Sequence, residues 1–159
     1  MENNSLLDVQ HLSHMFHLKR KMTVKAIDDV SFQIKKGEIY GLVGESGSGK
    51  STVARCIMNI YKPSEGEIFY KGIPICKSKE FRKNRKMLQM TRQMIFQDSA
   101  SSLNPRMKIG DIVAEPLRIY SGKGRPGKKE IEKQLELVGL DRSYMENIPV
   151  NYPVDSGRE

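Results

Sequence analysis

The clearest pattern of hydrophobic and polar positions lies in the first quarter of the chain. Leu7 and Val9 alternate with polar residues in LLDVQHL, and Val30, Phe32 and Ile34 do the same in DDVSFQI. A period of two is typical of strands that bury one face. The apolar run EIYGLVG then enters a glycine-rich loop, and we predict a strand there as well. GEIFYKGIPI predicts two short strands around a Lys-Gly turn.

A helical period follows the glycine-rich loop. Val53, Ile57 and Ile60 are spaced i, i+4, i+7, which places them on one face of a helix that we expect Pro63 to end. Further on, KEFRKNRKMLQM predicts a helix and RQMIFQ a short strand. GDIVAEPLRIY predicts a helix that Pro116 limits or kinks.

The last predicted element is an amphipathic helix in KKEIEKQLELVGL. Its apolar face carries Ile131, Leu135 and Val138, and Gly139 is its expected stop. The chain is therefore β-rich before Gln97 and helix-rich after it. This change predicts two lobes that share one domain, with the first lobe at about 1–97.

Composition narrows the class of protein. The 159 residues are 38% hydrophobic, which suits one soluble globular domain with a core. No apolar run approaches the roughly 18 residues that span a bilayer, and the N-terminal residues have no pattern of a secretion signal. Cys56 and Cys76 stand alone, so we expect reduced thiols in a cytosolic protein.

The formal net charge is +8, and basic residues cluster at 77–86 and 122–130. Such clusters can attract nucleic acid or an anionic membrane surface. Neither cluster has the aromatic or zinc-finger pattern of a nucleic-acid module. We interpret them as a solvated helix face and a flexible loop.

The motif that predicts phosphate binding is GLVGESGSGKST (41–52). It matches G-x-x-x-x-G-K-[ST], in which glycines let backbone N–H groups curl around phosphates, the lysine reaches the outer phosphates, and the hydroxyl ligates Mg²⁺. The helix that follows directs its positive dipole end at the same anion. The nucleotide contacts are expected from Gly44, Glu45, Ser46, Gly47, Ser48, Gly49, Lys50, Ser51 and Thr52. The guanine-reading motifs of a GTPase are absent, whereas a small-molecule kinase stays open on the loop alone.

A second stretch of sequence indicates which class of phosphate-loop protein this is. Residues 92–120, RQMIFQDSASSLNPRMKIGDIVAEPLRIY, contain S-L-N-P-R at 102–106 and A-E-P-L at 114–117. With the stretch 24–52, they resemble the ATP-binding cassette (ABC) proteins, and most narrowly the ATPase subunits of dipeptide and oligopeptide importers. The resemblance runs from about Leu7 to Pro153. It implies an α/β fold, the P-loop NTPase fold of an ABC nucleotide-binding domain, with a β-rich ATP-binding lobe and a helical lobe.

The resemblance also implies roles for individual residues. Gln97 matches the glutamine that contacts Mg²⁺ and the attacking water, so the catalytic residues would be Lys50 and Gln97 and the metal ligands Ser51 and Gln97. Phe16 matches the aromatic residue that stacks on adenine, and Val24 would line the adenine or ribose. A core phenylalanine at a strand end is the equal alternative for Phe16. The expected cofactors are ATP and Mg²⁺.

The pattern breaks near the end of the chain. The family would continue after N-Y-P with roughly H-E-L-S-G-G-Q-R-Q, whereas residues 154–159 read VDSGRE. The aspartate-bearing strand, its adjacent glutamate and the later switch histidine are also missing from the 159 residues. We therefore interpret the chain as a C-terminally truncated cassette. Residues from about 98 to 153 would form the first part of the helical lobe, and residues 154–159 would be a divergent tail. We expect the chain not to hydrolyse ATP alone.

The resemblance implies partners as well. They are the membrane-spanning permease subunits, a second ABC ATPase subunit in a homo- or heterodimer and, indirectly, an extracytoplasmic peptide-binding protein; no nucleic acid is expected. The expected location is peripheral, on the cytoplasmic face of the cell membrane. Two other functions stay open. They are a hydrolysis-deficient nucleotide- or partner-binding fragment, and a non-transport ABC protein.

Overall fold

The chain divides into two compact units, 1–94 and 95–159. The structure is a computed structural model, and it describes residues 5–18, 22–98, 102–122 and 124–149. The divergent tail, with Pro153 before it, lies outside the described residues. Among the described residues, no helix is both long and apolar enough to cross a bilayer.

The first unit is built on a four-stranded antiparallel sheet. Its strands are β1 (Ser5–Leu18), β2 (Met22–Lys35), β3 (Glu65–Tyr70) and β4 (Ile73–Pro74), in the order β2-β1-β3-β4. The predictions of strands in LLDVQHL and DDVSFQI and of two short strands in GEIFYKGIPI are confirmed. The first two strands are longer than their alternating segments and form one long hairpin.

The hairpin changes register several times along its length. Two of its residues, His11 and Asp29, have positive φ angles of 50° and 49°. The His11 ring pairs with the Asp29 carboxylate at 2.7 Å. The backbone N–H of Asp29 donates to Ser13 Oγ at 3.0 Å, so side chains replace hydrogen bonds that the irregular ladder leaves out. The long strand can therefore bend without orphaning its backbone there.

Two helices pack beside this sheet. They are α1 (Lys50–Ile57) and α2 (Ser78–Thr91), and both confirm predicted helices. The predicted end of α1 was wrong, because the helix stops at Ile57 and Ile60 is 51% exposed. Asn59, with a φ of 57°, turns the chain before Pro63 is reached. The sheet and the two helices share one hydrophobic core, which consists of Leu7, Val9, Leu12, Ile27, Val53, Cys56, Ile68, Tyr70, Ile75 and Leu88.

The predicted strands in EIYGLVG and RQMIFQ were wrong. Residues 36–45 and 92–97 form no strand, and Ile39, Val43 and Ile95 are 99%, 93% and 92% exposed. Both segments have the composition of buried strands. A strand needs a neighbour for its backbone and its apolar side chains. None of the described residues pairs with either segment.

The second unit is helical, with α3 (Ile109–Ser121), α4 (Lys128–Leu137) and a 3-10 helix, Arg142–Glu146. Pro116 lies inside α3 and does not end it, since the helix runs five residues further. The face of α4 holds Ile131 and Leu135 as predicted. Val138 was placed wrongly on that face, since it is 71% exposed and follows the last helical residue. The buried core is Ala114, Ile131, Leu135 and Met145.

Candidate functional site: the phosphate loop

The phosphate loop is held in place at the start of α1. Gly49 precedes the helix with a left-handed φ of 90°, and its carbonyl accepts from Thr52 N and Val53 N at 2.9 Å. A Cβ on Gly49 would lie 2.2 Å from the Ala26 carbonyl oxygen of β2. Only glycine satisfies both the backbone angle and this contact. The motif therefore uses Gly49 to seat the helix start against the hairpin.

Lys50 folds back over the loop that precedes it. Its Nζ donates to Gly44 O at 2.7 Å, to Glu45 O at 2.5 Å and to Ser48 Oγ at 3.2 Å. These three acceptors hold the ammonium group over the loop, on a side chain that is only half-buried. An anion lying on the loop would meet a positive charge that is already in position.

The rest of the loop is open. Residues 41–48 are exposed, and Gly47 has a φ of 84° with nothing near the position of a Cβ. A Cβ on Gly44 would lie 2.9 Å from Ser48 Oγ, so that glycine keeps the loop narrow. The first turn of α1 has no acidic residue that would oppose a bound anion. The donor set and shape of the loop fit a phosphate chain.

Two hydroxyl residues follow Lys50 in opposite environments. Ser51 is exposed, whereas Thr52 is 9% exposed and is one of the buried residues of α1. An exposed hydroxyl at the helix start is accessible to a cation that bridges phosphate oxygens. The burial pattern thus separates a candidate Mg²⁺ ligand, Ser51, from a residue that anchors the helix.

Phe16 and Val24 are cross-strand partners in the hairpin. Phe16 is half-buried, and its ring makes edge contacts with His14 at 4.7 Å and Tyr61 at 5.4 Å between centroids. Val24 is 44% exposed. The structure therefore brings the two proposed adenine contacts together. Phe16 retains an accessible part, and it also packs in an aromatic cluster.

The sequence analysis did not predict the residues that bind the C-terminal end of α1. Arg92 Nη1 donates to Ile57 O at 2.6 Å and to Asn59 Oδ1 at 2.9 Å, and Asn59 Nδ2 donates to Ile75 O at 2.9 Å. Burial lowers the pKa of the Arg92 guanidinium, which lies 5.5 Å from the centre of the Tyr70 ring. The carbonyls at a helix C-terminus favour a cation. No local pattern could have indicated this, because the partners are 33 to 35 residues apart.

Both thiols belong to the core behind the loop. Cys56 is fully buried in α1, and Cys76 is half-buried against the same cluster. Burial raises the pKa of the Cys56 thiol to about 11, with a further contribution from Cys76. Burial also raises the pKa of Cys76. Both are therefore protonated at neutral pH.

Gln97 belongs to the second unit, and the loop residues belong to the first. It is exposed and belongs to no helix or strand. The segment that follows it ends in a short turn, where Asn104 Oδ1 accepts from Arg106 N at 3.0 Å and Met107 N donates to Asn104 O at 3.1 Å. Leu103, Pro105 and Arg106 are exposed there. These side chains are free to contact another molecule.

Comparison with known sequences relates this chain to a known protein family. The sequence model of the ABC transporter family matches residues 27–154. A putative oligopeptide transport ATP-binding protein of Bacillus subtilis, YkfD, is 41% identical over 94% of this chain and 45% of its own length. The oligopeptide transport ATP-binding protein OppF of the same organism is 45% identical over 91% of this chain and 47% of its own length. The chain spans about half the length of these relatives.

A solved structure supports the fold. It is a dimeric ATP-binding cassette, MJ0796, in a post-hydrolysis state bound to ADP and Pi. It matches with a TM-score of 0.72 at 23% identity, over 92% of this chain and 63% of that one. At that identity the likeness concerns the fold alone. The family match over more than half of the residues shows that the chain belongs to the ABC transporter family.

Proposed function

We propose that this chain is the ATP-binding portion of an ABC importer subunit for peptides, in which ATP binding and hydrolysis drive transport. The observation that carries the proposal is the loop itself. Gly49 is fitted against the Ala26 carbonyl, and Lys50 is held over the loop by three acceptors. The names of the relatives, which are oligopeptide transport ATP-binding proteins, support the substrate class.

Each part of the loop has a task in this proposal. The Lys50 ammonium exchanges its loop carbonyls for the outer phosphates of ATP and offsets their charge. The start of α1 directs its positive end at the same phosphates. The exposed Ser51 hydroxyl would hold Mg²⁺, which would offset the negative charge of the phosphates. Gln97, a neutral amide, would hold the cation or orient a water molecule.

The test is binding of a fluorescent ATP analogue. Lys50→Ala abolishes binding because it removes the cation from the outer phosphates. Lys36→Ala, an exposed lysine in the turn before the loop, is the matched control and leaves binding unchanged. Ser51→Ala weakens binding with Mg²⁺ more than binding without it. Equal affinities of the parent and Lys50→Ala would refute the site.

The adenine contact is tested separately at Phe16 and Val24. Phe16→Ala lowers affinity by about 1 kcal/mol or more if the ring stacks on the base. Val24→Ala has a smaller effect because its side chain offers no flat face. Since Phe16 also packs on Tyr61, the melting temperature is measured on each variant. A lower melting temperature with unchanged affinity would mean that Phe16 is a core residue and does not contact the base.

We further propose that residues 1–159 alone bind nucleotide without turnover. The signature motif and the aspartate–glutamate pair that the family resemblance implies are not found among these residues. Hydrolysis needs a polarised water and a clamp on the outer phosphate. Mg²⁺-dependent phosphate release that Lys50→Ala removes would contradict this proposal.

The partners in this proposal are the permease subunits, a second cassette and, indirectly, a peptide-binding protein, at the cytoplasmic face of the membrane. The exposed turn at Leu103, Pro105 and Arg106 is the candidate docking surface. Arg106→Glu reverses an exposed charge and weakens co-purification with the permease subunits while ATP binding is kept. If the variant loses ATP affinity and still assembles, the turn serves the nucleotide.

A further inference from the structure

Helix α2 carries a row of cations along one face. Lys79, Arg82, Lys83 and Lys86 are spaced i, i+3, i+4, i+7, and all four are exposed. That spacing aligns side chains along one side of a helix, here over about 10 Å. We call these four residues the cationic stripe. Arg85 adds a fifth exposed cation beside it.

The opposite face of α2 is fixed to the core. Leu88 is fully buried, and Phe81 and Met87 pack on the same hydrophobic cluster. At the end of the helix, Tyr70 Oη donates to Thr91 O at 3.1 Å. These contacts hold the apolar face of α2 on the core, so the cationic stripe faces solvent.

The charges of the stripe are not offset. Among the described residues, none of the four pairs with a carboxylate. The nearby Lys77 differs, since its Nζ lies 2.9 Å from Glu67 Oε1. Glu80 is the single acidic residue within α2. Like charges so close together repel one another, and an anionic surface would relieve that repulsion.

We propose that the cationic stripe binds an anionic phospholipid surface. A straight row of lysine and arginine side chains on an exposed helix face suits the diffuse charge of lipid headgroups. Proteins that bind single-stranded nucleic acid usually add aromatic rings that stack on bases. The one aromatic residue of α2, Phe81, is turned into the core instead. The choice of lipid over nucleic acid also rests on the membrane location in the proposed function.

The test is co-sedimentation of the full 159-residue chain with vesicles at 100 mM salt. One set contains 30% phosphatidylserine in phosphatidylcholine, and the other contains phosphatidylcholine alone. The stripe variant is Lys79→Gln, Arg82→Gln, Lys83→Gln and Lys86→Gln. The control variant is Lys35→Gln, Lys36→Gln, Lys129→Gln and Lys133→Gln, four exposed lysines elsewhere. Each removes four cations, so both carry +4 in place of +8.

The parent binds the anionic vesicles and not the neutral ones. The stripe variant loses about a thousandfold in affinity for anionic vesicles, whereas the control loses less than about fivefold. A Lys79→Arg and Arg82→Lys double exchange keeps the charge and keeps the binding. All variants melt at the parent's temperature because the altered side chains are exposed.

Three results overturn the proposal. They are equal losses in the two variants, which would reduce the effect to net charge, absence of a preference for anionic vesicles, and tighter stripe-dependent binding to a mixed-sequence DNA or RNA. ATP-analogue binding is measured on the same samples. A parent that binds vesicles and no nucleotide would refute the proposed function and leave this inference intact. A parent that binds nucleotide and no vesicles would refute this inference and leave the proposed function intact.

Discussion

The hairpin and the segment that follows it have similar apolar content and different fates. In β1, Leu7, Val9 and Leu12 are 6%, 1% and 0% exposed, whereas Ile39 and Val43 are 99% and 93% exposed. The difference is the neighbourhood. β1 lies between β2 and β3 and is covered by a core, whereas none of the described residues forms a β-ladder with 36–45. A strand is a property of a pair of segments, since its hydrogen bonds and its burial both come from outside it.

The largest test of this comparison is truncation of one side chain in each region. Leu12→Ala removes a fully buried group and lowers the free energy of unfolding by about 2–5 kcal/mol. Ile39→Ala changes it by no more than about 0.5 kcal/mol, because the side chain is in water in both states. Urea unfolding followed by circular dichroism measures both. A large loss for Ile39→Ala would mean that this segment is buried in solution.

A second test uses two glycines with similar backbone angles. Gly66 in β3 has a φ of 84°, and a Cβ there would lie 2.3 Å from His11 O. Gly66→Ala therefore costs more than about 2 kcal/mol of folding free energy. Gly37, in the turn that begins the unpaired segment 36–45, has a φ of 80° with open space around it, so Gly37→Ala costs about 1 kcal/mol. Equal losses would show that backbone strain, and not sheet packing, decides both.

The buried thiol extends the comparison to pH. The Cys56 pKa is raised from 9.0 to about 11 by burial, so the unfolded chain loses this proton before the folded chain does. Its contribution is complete below pH 9 and is lost as pH rises through 11, on the order of 3 kcal/mol in total. The stability difference between the parent and Cys56→Ala therefore shrinks over that range. The half-buried Cys76 reacts with iodoacetamide at pH 8 before Cys56 does. Faster labelling of Cys56 would contradict its burial.

The smallest effect on stability, and the clearest on solubility, is expected at the unpaired segment. Ile39→Lys with Val43→Lys leaves the free energy of unfolding within about 0.5 kcal/mol and raises the concentration at which light scattering begins. Leu18→Lys with Met22→Lys is the control, since those exposed residues lie on paired strands. An equal gain in solubility from both pairs would show that exposed apolar area alone controls association.

The sequence by itself determined much of the local structure. Alternation predicted β1 and β2, the Lys-Gly turn predicted β3 and β4, and a helical period predicted α1 and α4. It also located the phosphate loop, because the Lys50 contacts join residues that are close together in the chain. Lys50 reaches Gly44 and Glu45 through a single turn of backbone. Interactions this local can be read from spacing.

Only the tertiary structure decided what depends on distant partners. The Ala26 carbonyl that excludes a side chain at Gly49 and the Arg92 contacts that close the end of α1 join residues 23 to 35 apart. The same reason explains the wrong strands in EIYGLVG and RQMIFQ. Their composition predicts burial, but a segment forms a strand only where a second segment meets its backbone and covers its side chains, and that partner is not written in the segment itself.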